Sequence, residues 1–352
     1  MDTKKTKRTA LFRYLYIGLT IIVILLIGLL DPNFEGMIVA LETLNPTWFC
    51  ISFFVLFMYW LTDAFLIQHI SSYMYGKYSV AKSLKIGLIG LYYGALTPSA
   101  TGGQPMQVVY MRRDGIGTGT ATGIIGVKLV VYQASLCAIS IVFLILSGAW
   151  YYASYNQVFW LTLIGLVVNI ALVAIISLSL FNRKFINKCG FGIIRLLEKI
   201  RILKSEEKAE KMRASFTQTM NEFHESMSYI VKHKFKVFVS FLISVINLLF
   251  LFAIPYCIYR AMGFSEHSLC FLLPLQTFLY LAVSFIPTPG SSGASEGGFY
   301  LFYGNIFPGE NLFVSMLLWR FLTYYAILFV GSGIVLVEEI RDGKRKKRLK
   351  EK

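Results

Sequence analysis

Charge is scarce in this sequence: Asp, Glu, Lys and Arg make up 15% of 352 residues, and only 19 of them are acidic against 34 basic. An ordinary soluble domain carries about 25% charged residues, so a chain of this length with so few cannot clothe a water-facing globule. Histidine is scarcer still, at four residues, and these form no HExxH or paired arrangement. His69, at the end of an apolar run, reads as an interfacial residue rather than a ligand. The five cysteines (Cys50, Cys137, Cys189, Cys257, Cys270) show neither metal spacing nor a disulfide framework, and most sit in apolar stretches as small packing residues. No Walker-type loop follows a strand. These absences argue against a metal hydrolase, an ATPase and a disulfide scaffold, and no metal or cofactor is expected.

Apolar residues are abundant instead, at 56%. Several runs reach the roughly 20 residues that cross about 30 Å of hydrocarbon as a helix. The expected spans are Tyr14 to Leu30, Thr47 to Ile70, Ala121 to Ser147, Val158 to Phe181, Phe235 to Ile258 and Leu312 to Val337. Shorter apolar stretches, Ile86 to Leu96 and Leu269 to Ile286, lie between them. Lys and Arg orient the spans. The segment before Tyr14 carries five, Ser71 to Thr120 five, Asn182 to Lys236 thirteen, and the tail after Val337 eight, whereas Tyr259 to Asn311 carries only Arg260 and the other two alternate loops none. The positive-inside rule then puts both termini in the cytoplasm of a plasma-membrane protein. The net charge of +15 is thereby a membrane-surface feature, directed at anionic inner-leaflet lipids and not at nucleic acid. The basic start resembles a signal-peptide n-region, but no small-residue cleavage site follows Leu30, so it is read as an uncleaved first span.

Two Gly- and Pro-rich breaks interrupt the apolar pattern. One runs from Pro98 through Gly102 and Gly103 to Gln104, the other from Pro287 through Pro289, Gly290 and Gly293 to Glu296. An offset of 192 residues superimposes Gln104 on Glu296, Lys128 on Arg320 and Tyr132 on Tyr324. The parity set by the basic residues requires the first break to enter and leave on the cytoplasmic side and the second on the outer side. The expected fold is therefore an all-α integral membrane protein of about six transmembrane helices plus two oppositely oriented re-entrant hairpins. These form an inverted-topology repeat, with units at about 47–147 and 235–337 of a single polytopic domain, residues 1–340. Pro and Gly also occur in ordinary transmembrane helices, so a single such spacing has a plain alternative; the second coincidence argues against it.

A helix that starts inside the membrane leaves N–H groups free, and these favour an anion. Lys128 and Arg320 stand about 10 to 13 Å inside their spans at 1.5 Å per residue. An uncompensated cation there costs at least about 2.5–3.5 kcal/mol. Snorkelling is the bland account, more so for Lys128 than for Arg320, whose planar fork suits phosphate. Asp63 matches the depth of Lys128 and is its expected partner; Glu296 is the expected partner of Arg320. Glu296 has three open roles: balancing the cation, taking up a coupling proton, or meeting an amine on a substrate. The expected binding and translocation residues are Lys128, Arg320, Glu296, Gln104, Asp63, Tyr132, Tyr324, Pro98, Gly102, Gly103, Pro289, Gly290 and Gly293, with no catalytic residue.

The stretches LTPSATGGQPMQVVY (Leu96 to Tyr110) and IPTPGSSGASEGG (Ile286 to Gly298) resemble the paired signatures of the lysylphosphatidylglycerol synthase transmembrane-region family. The resemblance runs from about Tyr14 to Glu339. It implies a membrane domain that moves a lipid, often aminoacylated phosphatidylglycerol, between leaflets, with resistance to cationic antimicrobial peptides as one outcome. Bifunctional members append a soluble aminoacyltransferase domain, whereas Glu338 to Lys352 is a basic run too short to fold as one. A synthase label carried over from the family is therefore unsafe for this chain, the membrane part of a phosphatidylglycerol lysyltransferase staying among the alternatives; a separate lipid-modifying synthase is an expected partner, beside the membrane phospholipids themselves and a second copy in a homodimer. Polyprenyl-phosphate or glycolipid carriers, a small-anion secondary transporter and a membrane-embedded transferase are the competing readings. The linker 182–234 shows helical spacing at Ile193, Leu196, Leu197 and Ile200 and again at Phe216, Met220, Phe223, Met227 and Ile230. Such helices are expected to lie on the inner leaflet, either shielding the bundle or serving regulation or substrate delivery; residues 341–352 form a basic tail.

Overall fold

The computed structural model describes residues 42–181, 216–223, 232–309 and 311–350, and residues 210, 212 and 214 besides. The expected first span, Tyr14 to Leu30, and most of the linker lie outside these residues. Within them the named elements are all helical: α1 (Pro46–Met74), α2 (Val80–Ala95), α3 (Gly103–Arg113), α4 (Thr118–Ser154), α5 (Asn156–Phe181), α6 (Lys234–Ala261), α7 (Leu269–Val283), α8 (Ala294–Tyr303), α9 (Asn311–Arg320), a π-helical turn (Phe321–Tyr325) and α10 (Ala326–Lys350). Five stretches of the described residues are long and apolar enough to cross a membrane: Pro46–Met74, Thr118–Ser154, Phe159–Leu178, Lys234–Ala261 and Asn311–Arg341. The protein is a multi-pass, all-α membrane protein.

Local chemistry sets the helix starts. Asn45 caps α1 by accepting from the N–H groups of Thr47 (3.0 Å) and Trp48 (3.3 Å), and Pro46 stands at the first helical position, where a missing N–H costs nothing. The Ser79 hydroxyl caps α2 by accepting from the Lys82 N–H at 3.3 Å. α1 and α6 pack antiparallel along their length. At one end the Asn45 N–H donates to the Ala261 carbonyl at 2.7 Å. At the other, His69 Nε2 stands 3.1 Å from the Lys236 carbonyl oxygen. The interfacial reading of His69 thus becomes a helix-to-helix contact.

Each break separates two short helices that fold back on each other. In the first, an added Cβ on Gly103 would stand 2.6 Å from the Gly90 carbonyl oxygen, so α2 and α3 meet backbone to backbone. Gln107 on α3 donates to the Ile86 carbonyl on α2 at 3.2 Å. In the second, the Tyr303 hydroxyl of α8 donates to Gln276 of α7 at 2.9 Å. The first hairpin follows the end of α1 and the second follows the end of α6. Because α1 and α6 are antiparallel, the hairpins enter the bundle from opposite ends. Their tips touch, Pro98 forming an isolated antiparallel bridge with Pro289.

Two apolar clusters flank that contact. One gathers Phe299, Phe302, Tyr303, Phe307 and Trp319 around the second hairpin. The other gathers Ile86, Ile89, Tyr110, Ile124 and Phe223 around the first. Residues 216–223 are helical, Phe223 is buried in the bundle and Glu222 accepts from the Gly119 N–H at 3.2 Å, so this stretch docks against the start of α4. Gly119 permits it: a Cβ there would collide with the Thr219 carbonyl. Ile193 to Ile200, Met227 and Ile230 lie outside the described residues.

Candidate functional site

Lys128, on α4, meets Asp63, on α1, with Nζ 2.7 Å from Oδ1 and 2.8 Å from Oδ2. The carboxylate is 4% exposed. Gly87 of α2 makes room for it, since a Cβ there would stand 2.6 Å from Asp63 Oδ2. A cation this far from water is stable only with such a partner, and that cost accounts for the pairing of two residues 65 positions apart.

Arg320, at the end of α9 and 4% exposed, meets Glu296 of α8 with Nε 2.8 Å from Oε1. The Nε–H is poorly aligned with that oxygen and lacks a true hydrogen bond, so the contact is chiefly electrostatic. The rest of the guanidinium serves the break itself: Nη1 donates to the Gly290 carbonyl at 3.2 Å and Nη2 reaches the Ser291 carbonyl at 3.5 Å. The Gly290 carbonyl thereby finds a donor, and the Ser291 carbonyl, which already accepts from the Ser295 N–H at 2.9 Å, gains a second.

Glu296 has a second task. It accepts from the Gly293 N–H at 2.6 Å, closing the start of α8 with its own carboxylate. The other half-helix differs. At α3 the Gly102 N–H donates to the Thr97 hydroxyl at 2.8 Å and no acidic residue stands in the first turn. Gln104 is half-buried there, and Lys128 pairs with Asp63 instead.

The tips are strained as well as glycine-rich. Ser99 (φ 50°), Ala100 (φ 55°) and Ser291 (φ 51°) adopt the left-handed conformation that side chains disfavour, beside Gly290 (φ 59°) and Gly293 (φ 84°). Gly290 is doubly required, because any Cβ would collide with the Tyr324 ring. Tyr324 sits in the π-helical turn and lies under the Arg320 guanidinium, 5.4 Å from carbon to ring centre. Its hydroxyl donates to the Ala95 carbonyl of the opposite hairpin at 3.4 Å. Tyr132 also crosses over, its hydroxyl standing 3.0 Å from that of Tyr280 on α7. Each tyrosine therefore contacts the leading arm of the other unit's hairpin.

Polar residues that the sequence pattern passed over complete the interior. Asn247 of α6 donates to the Tyr59 carbonyl (2.7 Å) and the Thr62 hydroxyl (3.0 Å), one residue from Asp63, while its own Oδ1 is buried without a partner among the described residues. Gln133 donates to Asn169 at 3.0 Å, and Asn169 to Ser284 at the end of α7 at 3.1 Å. Single amides within apolar runs give no periodic signal. At the basic end of the bundle, Lys85 bridges Asp114 (3.0 Å) and Glu338 (3.3 Å), and Arg113 meets Glu339 at 3.1 Å. Tyr78 donates to Asp114 at 2.8 Å. Burial first, and then the Asp114 bond, push its phenol above the ordinary value and keep it a donor. No cluster of metal-ligating side chains occurs among the described residues.

The family model described as "Lysylphosphatidylglycerol synthase TM region" matches residues 15–331. The chain is also similar to a protein of Archaeoglobus fulgidus described as a UPF0104 membrane protein, with 26% identity over 284 residues covering 80% of this chain and 84% of that one.

Proposed function

The chain belongs to the lysylphosphatidylglycerol synthase transmembrane-region family, and from that premise we propose that it translocates an anionic, phosphate-bearing lipid between the leaflets of the plasma membrane. An aminoacylated phosphatidylglycerol is the first choice of substrate. One observation carries the reading: two buried cation–carboxylate pairs flank the point where two broken helical hairpins meet tip to tip. Desolvating a phosphate in hydrocarbon is prohibitive. Lys128 and Arg320 would replace its water, one from each face, while the acyl chains stay in the bilayer. In the resting protein Asp63 and Glu296 hold the places of the phosphate, so neither cation is left uncompensated between cycles. Both termini lie in the cytoplasm on this reading, and the two units form an inverted repeat around the site.

Purified protein in liposomes is expected to speed leaflet exchange of labelled phosphatidylglycerol or its aminoacylated form well above protein-free vesicles. Lys128→Met is expected to abolish the acceleration, and Lys128→Arg to retain part of it. No exchange of any phospholipid or polyprenyl phosphate, together with uptake of a water-soluble anion, would move the function to small-anion transport.

A further inference from the structure

The two central ion pairs differ in what else holds the acid. Glu296 accepts from the Gly293 N–H at 2.6 Å at the start of α8, and its side chain is 19% exposed. A helix start favours a carboxylate, so Glu296 keeps support for its charge when Arg320 turns elsewhere. Asp63 has no such support. It lies in the interior of α1, where the backbone N–H groups serve the helix, and its side chain is 6% exposed. Its carboxylate meets Lys128 at 2.7 and 2.8 Å, and neither residue has another ion pair among the described residues. The elements around Asp63 bring no second cation. From α4 come Lys128 and Tyr132, from α1 itself Tyr59, and from α7 Tyr280, whose hydroxyl is 3.0 Å from that of Tyr132. α2 presents Gly87, α6 presents the neutral Asn247, held to Thr62 at 3.0 Å, and the π-helical turn sends the Tyr324 hydroxyl to the Ala95 carbonyl.

We propose that Asp63 is a proton-binding site that takes up one proton each time a headgroup phosphate engages Lys128, so that translocation is coupled to protons. The inference rests on the translocation reading and names its second substrate. A phosphate that draws the Lys128 ammonium away leaves two anions facing one cation out of water. In a low dielectric such a pair of anions does not stay doubly ionised. The phosphodiester is much the stronger acid, so the proton goes to Asp63. The balance closes: one proton from solvent forms an O–H bond on the carboxylate, the ammonium and the phosphodiester keep their charges, and no other bond changes. Release of the phosphate returns the proton to solvent and Lys128 to Asp63. A proton also needs no room, and the carboxylate has little, since a Cβ on Gly87 would stand 2.6 Å from Oδ2. Glu296 stays ionised through the same cycle, because the start of α8 holds its charge without Arg320. Of the two central acids, the coupling proton therefore falls to Asp63.

The test reads proton uptake on binding and needs no transport. Full-length protein in detergent, weakly buffered at pH 7 with an indicator dye, is titrated with short-chain phosphatidylglycerol while calorimetry counts the lipid bound. The unmodified protein is expected to take up at least about half a proton per lipid, and its affinity to fall as pH rises, by up to about tenfold per pH unit, because the bound state holds the extra proton. Asp63→Asn, which has the shape of the protonated acid, is expected to bind with no uptake and with an affinity that changes less than about twofold between pH 6 and 8. Asp63→Glu, which keeps an acid there, guards against misfolding and is expected to restore the uptake. Glu296→Gln is expected to keep the uptake per bound lipid, whatever its affinity. Binding with a smaller uptake by the unmodified protein, or uptake that survives Asp63→Asn, overturns the proton site and leaves translocation standing. Uptake lost only in Glu296→Gln moves the proton to the outer pair, and binding that requires sodium at constant pH replaces the proton with a metal cation. No binding of phosphatidylglycerol or of a polyprenyl phosphate by any of the four proteins overturns the translocation reading, and this inference with it.

Discussion

The two hairpins solve the same problem differently. In the second, the acid that balances Arg320 belongs to the hairpin and also closes its half-helix, so Glu296, Gly293 and Arg320 form one unit. In the first, the acid that balances Lys128 lies on α1, outside the hairpin, and the half-helix α3 starts with Gln104 and no carboxylate. A movement of the second hairpin must therefore break its ion pair. The first hairpin can move while Lys128 and Asp63 stay together. The second hairpin thus ties its ion pair to the position of its own backbone, and the first does not.

That contrast is open to direct attack. The largest expected effect concerns orientation itself: with the native cysteines replaced, Ser99→Cys is expected to react with an impermeant thiol reagent from one face only and Ser292→Cys from the other. Reaction of both from one face would dissolve the comparison. Next is Arg320→Gln, which leaves the Glu296 carboxylate without its cation and the Gly290 carbonyl without its guanidinium donor; removing one partner of a buried pair costs about 3–5 kcal/mol. Thermal unfolding in detergent is expected to show a loss of that order, with exchange abolished. Adding Glu296→Gln to it is expected to return part of the stability and none of the exchange, and simple additivity of the two substitutions would show that the pair is not a unit. Gly290→Ala is expected to cost less but still measurably, about 1–3 kcal/mol from left-handed backbone alone, with the Tyr324 collision added. Partial relief on adding Tyr324→Ala would separate the two contributions. The smallest effect belongs to Gln104→Glu, which gives the first half-helix the acid of the second. A carboxylate at a helix start contributes about 0.3–1 kcal/mol, so stability is expected to rise slightly while exchange slows. Unchanged exchange would mean that the difference at this position does not matter.

Much of this was legible in the sequence because burial of charge leaves few options. Lys128 and Asp63 share a depth, Glu296 stands in the hairpin before Arg320, and both pairs meet. The breaks were legible because Pro and Gly punctuate apolar helices. Other features carry no local signal. Ser99, Ala100 and Ser291 hold left-handed backbone without being glycine. The seam between Lys85 and Glu338 joins residues 253 positions apart. Tyr132 seemed the counterpart of Tyr324 by spacing, yet which arm each tyrosine touches is set by how the units interlock. The docking of Phe223 was hidden because an amphipathic pattern states that a face is buried, not whether lipid or protein buries it.

The π-helical turn at Phe321–Tyr325 follows Arg320 directly. It is a dislocation in an otherwise regular helix: one surplus residue, rotating everything beyond it by about 100° relative to an unbroken α-helix, since a turn takes 3.6 residues. A dislocation can glide. If the surplus residue shifts by one position along the helix, a single side chain changes face while the two ends keep their phase. If it is expelled past either end, Arg320 and Glu338 lose their angular relation altogether. A helix with the surplus residue and one without it would therefore set the two ends at different angles. Deleting Phe321 is expected to give the second, leaving the Arg320 guanidinium and the Glu338 carboxylate unable to face their partners at the same time.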